Sequence, residues 1–193
     1  ELMMKGQKHK DAYEVVKRIS QYFPANPKRL SEVLRLAIIN EKYEDVEKYY
    51  QIFTNIDERS DTLIKYICAA LVVCGKYYLQ TSNRSRAFEL FQKATATSAG
   101  RTNIIREVVL SLIEYKLSKE ASEFLARFPA EVQSSEEYHL LRFQILNLSG
   151  SASAVVALGK ELLTKGFTSE SLYEVMITRA REAGNSSMAD SMT

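Results

Sequence analysis

The stretch Leu71-Val72-Val73-Cys74-Gly75-Lys76-Tyr77-Tyr78, answered downstream by Ala87, Phe91 and Ala94, decides the fold. Its spacing is apolar-x2-apolar-Gly-x2-Tyr, then x8-Ala-x3-Phe-x2-Ala. Apolar residues three and four apart mark one stripe of a helix. Gly and Ala on two successive helices mark the place where their backbones come closest. The aromatic one turn after Ala87 then fills the groove beside that contact. The unit therefore reads as a helix hairpin. One hairpin cannot bury such a face alone, but stacked neighbours make a continuous core.

The second-helix position recurs. Ala12, Val46, Ala87, Ala121, Ala154 and Ala189 are 34, 41, 34, 33 and 35 residues apart. Most carry apolar partners at the next turns: Val16 and Ile19; Tyr50 and Phe53; Leu125 and Phe128; Leu158. Pro24 stands where a repeat would end. First helices answer in the same rhythm, with Leu30, Val33, Leu34 and Ala37; Ile105, Val108, Val109 and Leu112; Tyr138, Leu141 and Ile145; and Tyr173, Met176 and Ala180.

Composition agrees. The chain has 193 residues, 46% hydrophobic and 26% charged, with 7 Gly, 3 Pro and no Trp. Average usage is roughly 7% Gly and 5% Pro, so breakers are scarce and an all-β sandwich or barrel lacks its turns. No glycine-rich phosphate loop is present for a doubly wound α/β fold. A net charge of +2 with this apolar content argues against disorder. Five of the glycines, Gly6, Gly100, Gly150, Gly166 and Gly184, fall at or beside expected helix connections. Gly75 sits at the close helix contact, and Gly159, inside a helix, has no role in this scheme.

The Leu71–Ala94 unit resembles the tetratricopeptide repeat, whose pattern runs W-x2-L-G-x2-Y, then A-x3-F and a later P. Leu71 stands at the Trp position and Cys74 at the Leu position, while Gly75 and Tyr78 match. The other units carry less of the signature, and Val46 occupies a position where the family has a small residue. The resemblance implies an all-α fold, a right-handed α-α superhelix of about five to six hairpins forming one repeat domain over 1–193. Ala12 already belongs to a second helix, and Ala189 opens one that the sequence does not finish. Ser186-Ser187-Met188-Ala189 is too short for a solenoid cap, so the domain is expected to be cut from a longer protein at both ends.

Seven extra residues separate Val46 from Ala87. Asn55–Ser60 reads as a loop, with Ser60 or Asp61 capping a helix that runs to about Leu79. That helix would be two turns longer than its neighbours and is expected to protrude from the stack. The longest apolar run, Tyr66 to Cys74, is nine residues, against about 20 for a bilayer-spanning helix. No membrane role is therefore expected. Cys68 and Cys74 lie six apart on one helix, roughly 9 Å of rise, too far for a bridge. They read as small core residues of a reducing, cytoplasmic compartment.

Catalytic constellations are missing. The two histidines, His9 and His139, are far apart in sequence, and no paired Cys/His spacing suits zinc. No nucleophile elbow exists. Glu136-Glu137 sits at a helix start, where carboxylates favour the dipole. The sequence thus implies no enzyme, no cofactor and no metal. Helix-pair repeats that read RNA are the alternative. However, Lys8, Lys10, Lys17 and Arg18 on the first hairpin, and Arg84 and Arg86 at a turn, are interspersed with Glu14 and Glu89. Nucleic acid is not the expected partner.

The resemblance instead implies a protein-interaction scaffold or adaptor, with first helices lining a concave groove for a partner peptide or helix. Projected on this sequence, the groove carries Arg35, Val72, Lys76, Arg106, Leu110, Ile113, His139, Phe143 and Leu146. No set of Lys and Asn is placed to grip a C-terminal carboxylate. Apolar Leu110, Ile113, Phe143 and Leu146 beside Arg106 and His139 suit an amphipathic helix. Self-association through exposed repeat ends is a further expectation. Such arrays follow receiver domains in some bacterial response regulators, which makes a signalling protein the expected context.

Overall fold

The computed structural model describes residues 2–23, 26–57, 59–184 and 189. Among them are ten α-helices, one short 3-10 helix at Ala130–Val132, and no strand. The helices are α1 (Leu2–Tyr22), α2 (Pro27–Ile39), α3 (Tyr43–Thr54), α4 (Asp61–Gln80), α5 (Arg84–Thr97), α6 (Thr102–Glu114), α7 (Ser118–Leu125), α8 (Glu136–Ser149), α9 (Ala152–Thr164) and α10 (Glu170–Glu182). Short polar residues start many of them. Asn26, Ser60, Asn83, Ser135, Ser151 and Ser169 each accept a hydrogen bond from the amide three residues on. Such a cap is worth about 1 kcal/mol relative to Ala. Ser60, rather than Asp61, caps α4.

The chain forms two compact units, Glu1–Ile104 and Ile105–Thr193. In the first, α1 packs on α2, α2 on α3 and α4, and α4 on α5. The α4–α5 pair is a hairpin: the Cys68 Sγ lies 3.4 Å from the Ala94 carbonyl, while Gly75, further along α4, abuts Phe91. Position 75 must be small because a Cβ there would lie 2.7 Å from Phe91 Cδ1 and 2.9 Å from Cζ, with Cε1 nearer still.

Three hairpin turns share one conformation. Glu41, Ser82 and Lys116 have φ of 57°, 62° and 57°. The amide of the next residue bonds back into the preceding helix in each: Lys42 to Ala37, Asn83 to Tyr78, Leu117 to Leu112. This is a Schellman-type ending. The turns are spaced as Val46, Ala87 and Ala121 are, and all three of those residues are fully buried.

Buried charge joins α1 to α3. The Tyr13 hydroxyl donates to Asp45 Oδ2 at 2.5 Å, the Lys17 ammonium to the same oxygen at 2.9 Å, and Lys48 to Oδ1 at 2.9 Å. Asp45 is only 8% exposed. Burial alone would raise its pKa, but these three donors outweigh it and hold the carboxyl well below the usual range.

Several register expectations change. Over residues 8–22 of α1 the buried positions are Tyr13, Val16 and Ser20, not Ala12 and Ile19, because Tyr13 turns inward to reach Asp45. In α3, Tyr49 is buried and Tyr50 only half-buried. Gly6 lies inside α1, which runs unbroken from Leu2, so it marks no connection. Pro24 and Ser186–Met188 lie outside the described residues. Gly100, Gly166 and Gly184 do take the left-handed conformation. Gly150 ends α8 with φ −84° instead.

The expected protrusion of α4 is also corrected. Leu63 and Ile67, in its added turns, are fully buried, and Asp61 is ion-paired with Arg101 and Lys65. The extra length is absorbed into the core of the first unit. At 20 residues α4 is long and apolar enough to cross a membrane by length and composition, contrary to the shorter run read from the sequence. Half of that window is buried inside the protein, as in a core helix.

In the second unit, α7 packs on α8, α8 on α9 and α9 on α10. Phe143, Val155, Leu158, Leu162, Leu172 and Met176 form one cluster of its core. Ala154 is exposed, and Val155 takes the buried position expected of it. The correction makes Ala121, Val155 and Ala189 34 residues apart, with all three fully buried. Gly159 gains a role as well. A Cβ there would sit 2.6 Å from Met176 Cγ and closer to its sulfur, so glycine sets the approach of α9 to α10.

Candidate partner-binding grooves

In the first unit, α2 and α4 are successive first helices. The groove between them is built from Arg35, Ile38 and Ile39 on α2 and from Tyr66, Ala69 and Val73 on α4, over a floor of Leu34 and Ala70. Its volume is about 180 Å³. Ile39 and Tyr66 are 44% and 41% exposed, so large apolar surface is open to solvent. Ala69 is small and exposed between the two larger α4 residues, which lets a bound side chain approach the helix backbone. Arg35 is the one charged residue lining the groove.

This region corrects part of the sequence expectation. Arg35 is exposed and lines the groove as expected. Val72 is 4% exposed and belongs to the core; its neighbour Val73 faces the groove. Lys76 is half-buried and does not line this groove. Ile38, Ile39, Tyr66 and Ala69 are functional candidates that the sequence reading missed. Their signal was the nine-residue apolar run itself. A helix apolar all round has contacts to make on more than one side, and Tyr66, Ala69 and Val73 form the stripe left after the core is filled.

In the second unit, a depression of about 580 Å³ lies between α6 and α8. Arg106 and Leu110 line it, opposite Glu136, Glu137, Leu140 and Gln144. The Arg106 Nε is 2.8 Å from Glu137 Oε1, with both side chains nearly half exposed. Ile113 is half-buried and does not line the depression. The three expected groove residues of α8 lie elsewhere. At about 100° per residue, positions 139, 143 and 146 fall on a largely different side of α8 from 137, 140, 141 and 144. Phe143 is 2% exposed and sits in the core, with Leu146 packed against the same cluster. His139 stacks on Phe167 at 5.6 Å. Burial, then the nearby Lys165 and Arg142 charges, lower its pKa and favour the neutral ring, with Glu161 opposing. Its Nδ1 is buried without a partner.

Nucleophilic and metal chemistry have little to build on. Burial pushes the Cys68 thiol up to about 11 and the Cys74 thiol up to about 12, far from the thiolate that reactivity requires. Among the described residues, no three His, Cys, Asp or Glu side chains are grouped to hold a metal ion.

No family model matches the chain, and no curated protein matches it. The crystal structure of BtubC (BKLC) from P. vanneervenii is similar over 100% of this chain and 88% of that one. The TM-score is 0.61 at 10% sequence identity. A likeness at that identity extends to the helical fold alone.

Proposed function

We propose that this chain is a non-enzymatic protein-interaction module, a TPR-like stack of helix hairpins whose first helices present grooves to a partner segment. The observation that carries the reading is the α2/α4 groove, apolar in its lining apart from Arg35 and open to water at Ile39 and Tyr66. A concave apolar lining of this kind suits the apolar face of a partner segment. The repeat reading draws support from the 34-residue spacing of Ala87, Ala121, Val155 and Ala189, buried without exception, and from the shared turn at Glu41, Ser82 and Lys116. A cytoplasmic scaffold or adaptor in signalling is the role that fits such a module.

The test is photocrosslinking from a benzoylphenylalanine placed at Tyr66, compared with one at the exposed Glu123 on α7. A partner captured at position 66 and lost on Ala69→Glu supports the groove. Capture that persists with Ala69→Glu, or that is equal at Glu123, overturns it. Phe143 is unsuitable for such a test, because its truncation would open the core of the second unit.

A further inference from the structure

We infer that a second site, separate from the α2/α4 groove, takes an alkylated ammonium group. It is a pocket of about 340 Å³ in the first unit, where the α2–α3 turn meets the end of α4. Small-molecule pockets begin at about 300 Å³. Three tyrosines wall it: Tyr43, Tyr77 and Tyr78. Tyr43 and Tyr77 stack with centroids 4.3 Å apart, and Tyr78 stands at 65° to Tyr77 with centroids 5.4 Å apart. The stacked pair and Tyr78 are thus two non-parallel aromatic walls around one cavity. Tyr77 is 37% exposed, although a ring of its size could have been buried. Aromatic faces attract cations through their quadrupole, and walls of this kind are how proteins hold quaternary and methylated ammonium groups.

The charges around the rings favour a cation. Glu41 and Glu44 line the pocket, are exposed, and have no ion pair among the described residues. Asp45 also lines it, but Tyr13, Lys17 and Lys48 already satisfy its oxygens. Lys42 is the one opposing charge in the lining. Both helices that end here, α2 at Ile39 and α4 at Gln80, have no basic residue in their last turns. Their negative dipole ends are met within a few residues by the N-terminal ends of α3 and α5, so the pull on a cation rests on Glu41 and Glu44 rather than on the dipoles. Glu44 also complements the N-terminal end of α3, a role that accounts for Glu44 but not for Glu41 or the three rings. Burial, then the Glu41 carboxylate, raises the Tyr43 pKa, and burial, then Cys74 and the Glu44 carboxylate, raises that of Tyr78, so both phenols are neutral.

A hydrophobic pocket would take a neutral tert-butyl group as readily as a trimethylammonium one. The test therefore titrates choline against its neutral carbon isostere, 3,3-dimethyl-1-butanol, by amide chemical shifts of the whole chain. Choline should move the amides of Tyr43, Tyr77 and Tyr78 with an affinity about tenfold above that of the isostere. Tyr77→Leu should lose most of that difference, Glu41→Gln with Glu44→Gln should weaken choline several-fold, and Lys42→Ala should tighten it. All four substituted positions are exposed, and circular dichroism checks the fold of each variant. A trimethyl-lysine peptide run beside its unmethylated form identifies the source: a preference for the methylated peptide over choline makes the ligand a protein side chain, and the reverse makes it a free metabolite. Equal binding of choline and its isostere, no shift at the three tyrosines, or indifference to Lys42→Ala overturns the inference. None of these results depends on the α2/α4 groove.

Discussion

Replacing Gly75 by Ala sets two known effects against each other. Within the long helix α4, Ala is favoured over Gly by about 1 kcal/mol. Against this, the new methyl would lie 2.7 Å and 2.9 Å from two Phe91 ring carbons and closer still to Cε1. Ordinary contact begins near 3.4 Å, so the ring or the helix must move by the better part of an ångström. Phe91 is fully buried and rigid, so it has no solvent to swing into. Overpacking of this kind costs typically 1–3 kcal/mol, and a rigid ring puts it at about the upper end. The expected net loss is about 2 kcal/mol, or a melting point lower by about 4–8 °C for a chain of this length. Gly159→Ala is the internal control. There the obstructing atoms belong to Met176, a flexible thioether that can change rotamer, and the net effect should stay within about 1 kcal/mol of zero. Urea unfolding of wild type, Gly75→Ala, Gly159→Ala, Phe91→Leu and Gly75→Ala/Phe91→Leu reads the outcome. The double variant should recover part of the loss, giving a coupling of about 1 kcal/mol or more between positions 75 and 91. A neutral or stabilising Gly75→Ala, or no coupling to Phe91, would refute the close-contact account of the hairpin.

Asp45 makes stability depend on acid. Its folded-state pKa is lowered, so its contribution is full above the unfolded value of about 4 and is lost progressively as pH falls below that value toward the lowered one. Asp45→Asn should cost about 2–3 kcal/mol near pH 7, since Tyr13 loses a charged acceptor while the more exposed lysines return to water. The gap between variant and wild type should be constant above about pH 5 and narrow steadily as pH falls below about 4 in denaturant titrations; a gap independent of pH would show that the carboxylate is not the source. Ser82, with φ 62°, is strained where glycine would not be. Ser82→Gly is expected to stabilise by about 1 kcal/mol by the same unfolding assay, with a destabilised protein as the contrary result.

What the sequence revealed and what it hid divide along a physical line. The hairpin Leu71–Ala94 was legible because it mixes residue sizes: Gly75 and Ala87 are small where Phe91 is large, and only one register accommodates all three. The repeat period followed from it. The register of α9 was hidden because Ala154, Val155 and Val156 are all small and apolar, so size does not identify the inward residue. Val155 holds the place in α9, three residues after its start, that Val46, Ala87 and Ala121 hold in α3, α5 and α7. In α1 the inward residue is Tyr13, which looks amphipathic until its hydroxyl finds Asp45 32 positions away. Val72 and Val73 were interchangeable by hydropathy on a helix apolar all round. Phe143 was misplaced because an apolar stripe does not say which neighbour it meets; α8 uses that stripe for α9 and α10 rather than for a partner.

The two first-helix depressions differ in what they can contribute to binding. In the α6/α8 depression, Arg106 and Glu137 are already engaged with each other at 2.8 Å. An exposed pair of this kind contributes about 0–1 kcal/mol, and a partner that replaces it exchanges one modest interaction for another. In the α2/α4 groove nothing has to be displaced but water over Ile38, Ile39, Ala69 and Val73. Binding free energy concentrates in a few apolar anchors set in desolvated pockets, with polar rims contributing orientation more than affinity. On the proposed reading, affinity for a partner segment of the α2/α4 groove comes from these apolar anchors, and Arg35 orients it. A charge at Ala69 should then remove binding at this groove, while an equally exposed charge on α7 should leave it unchanged.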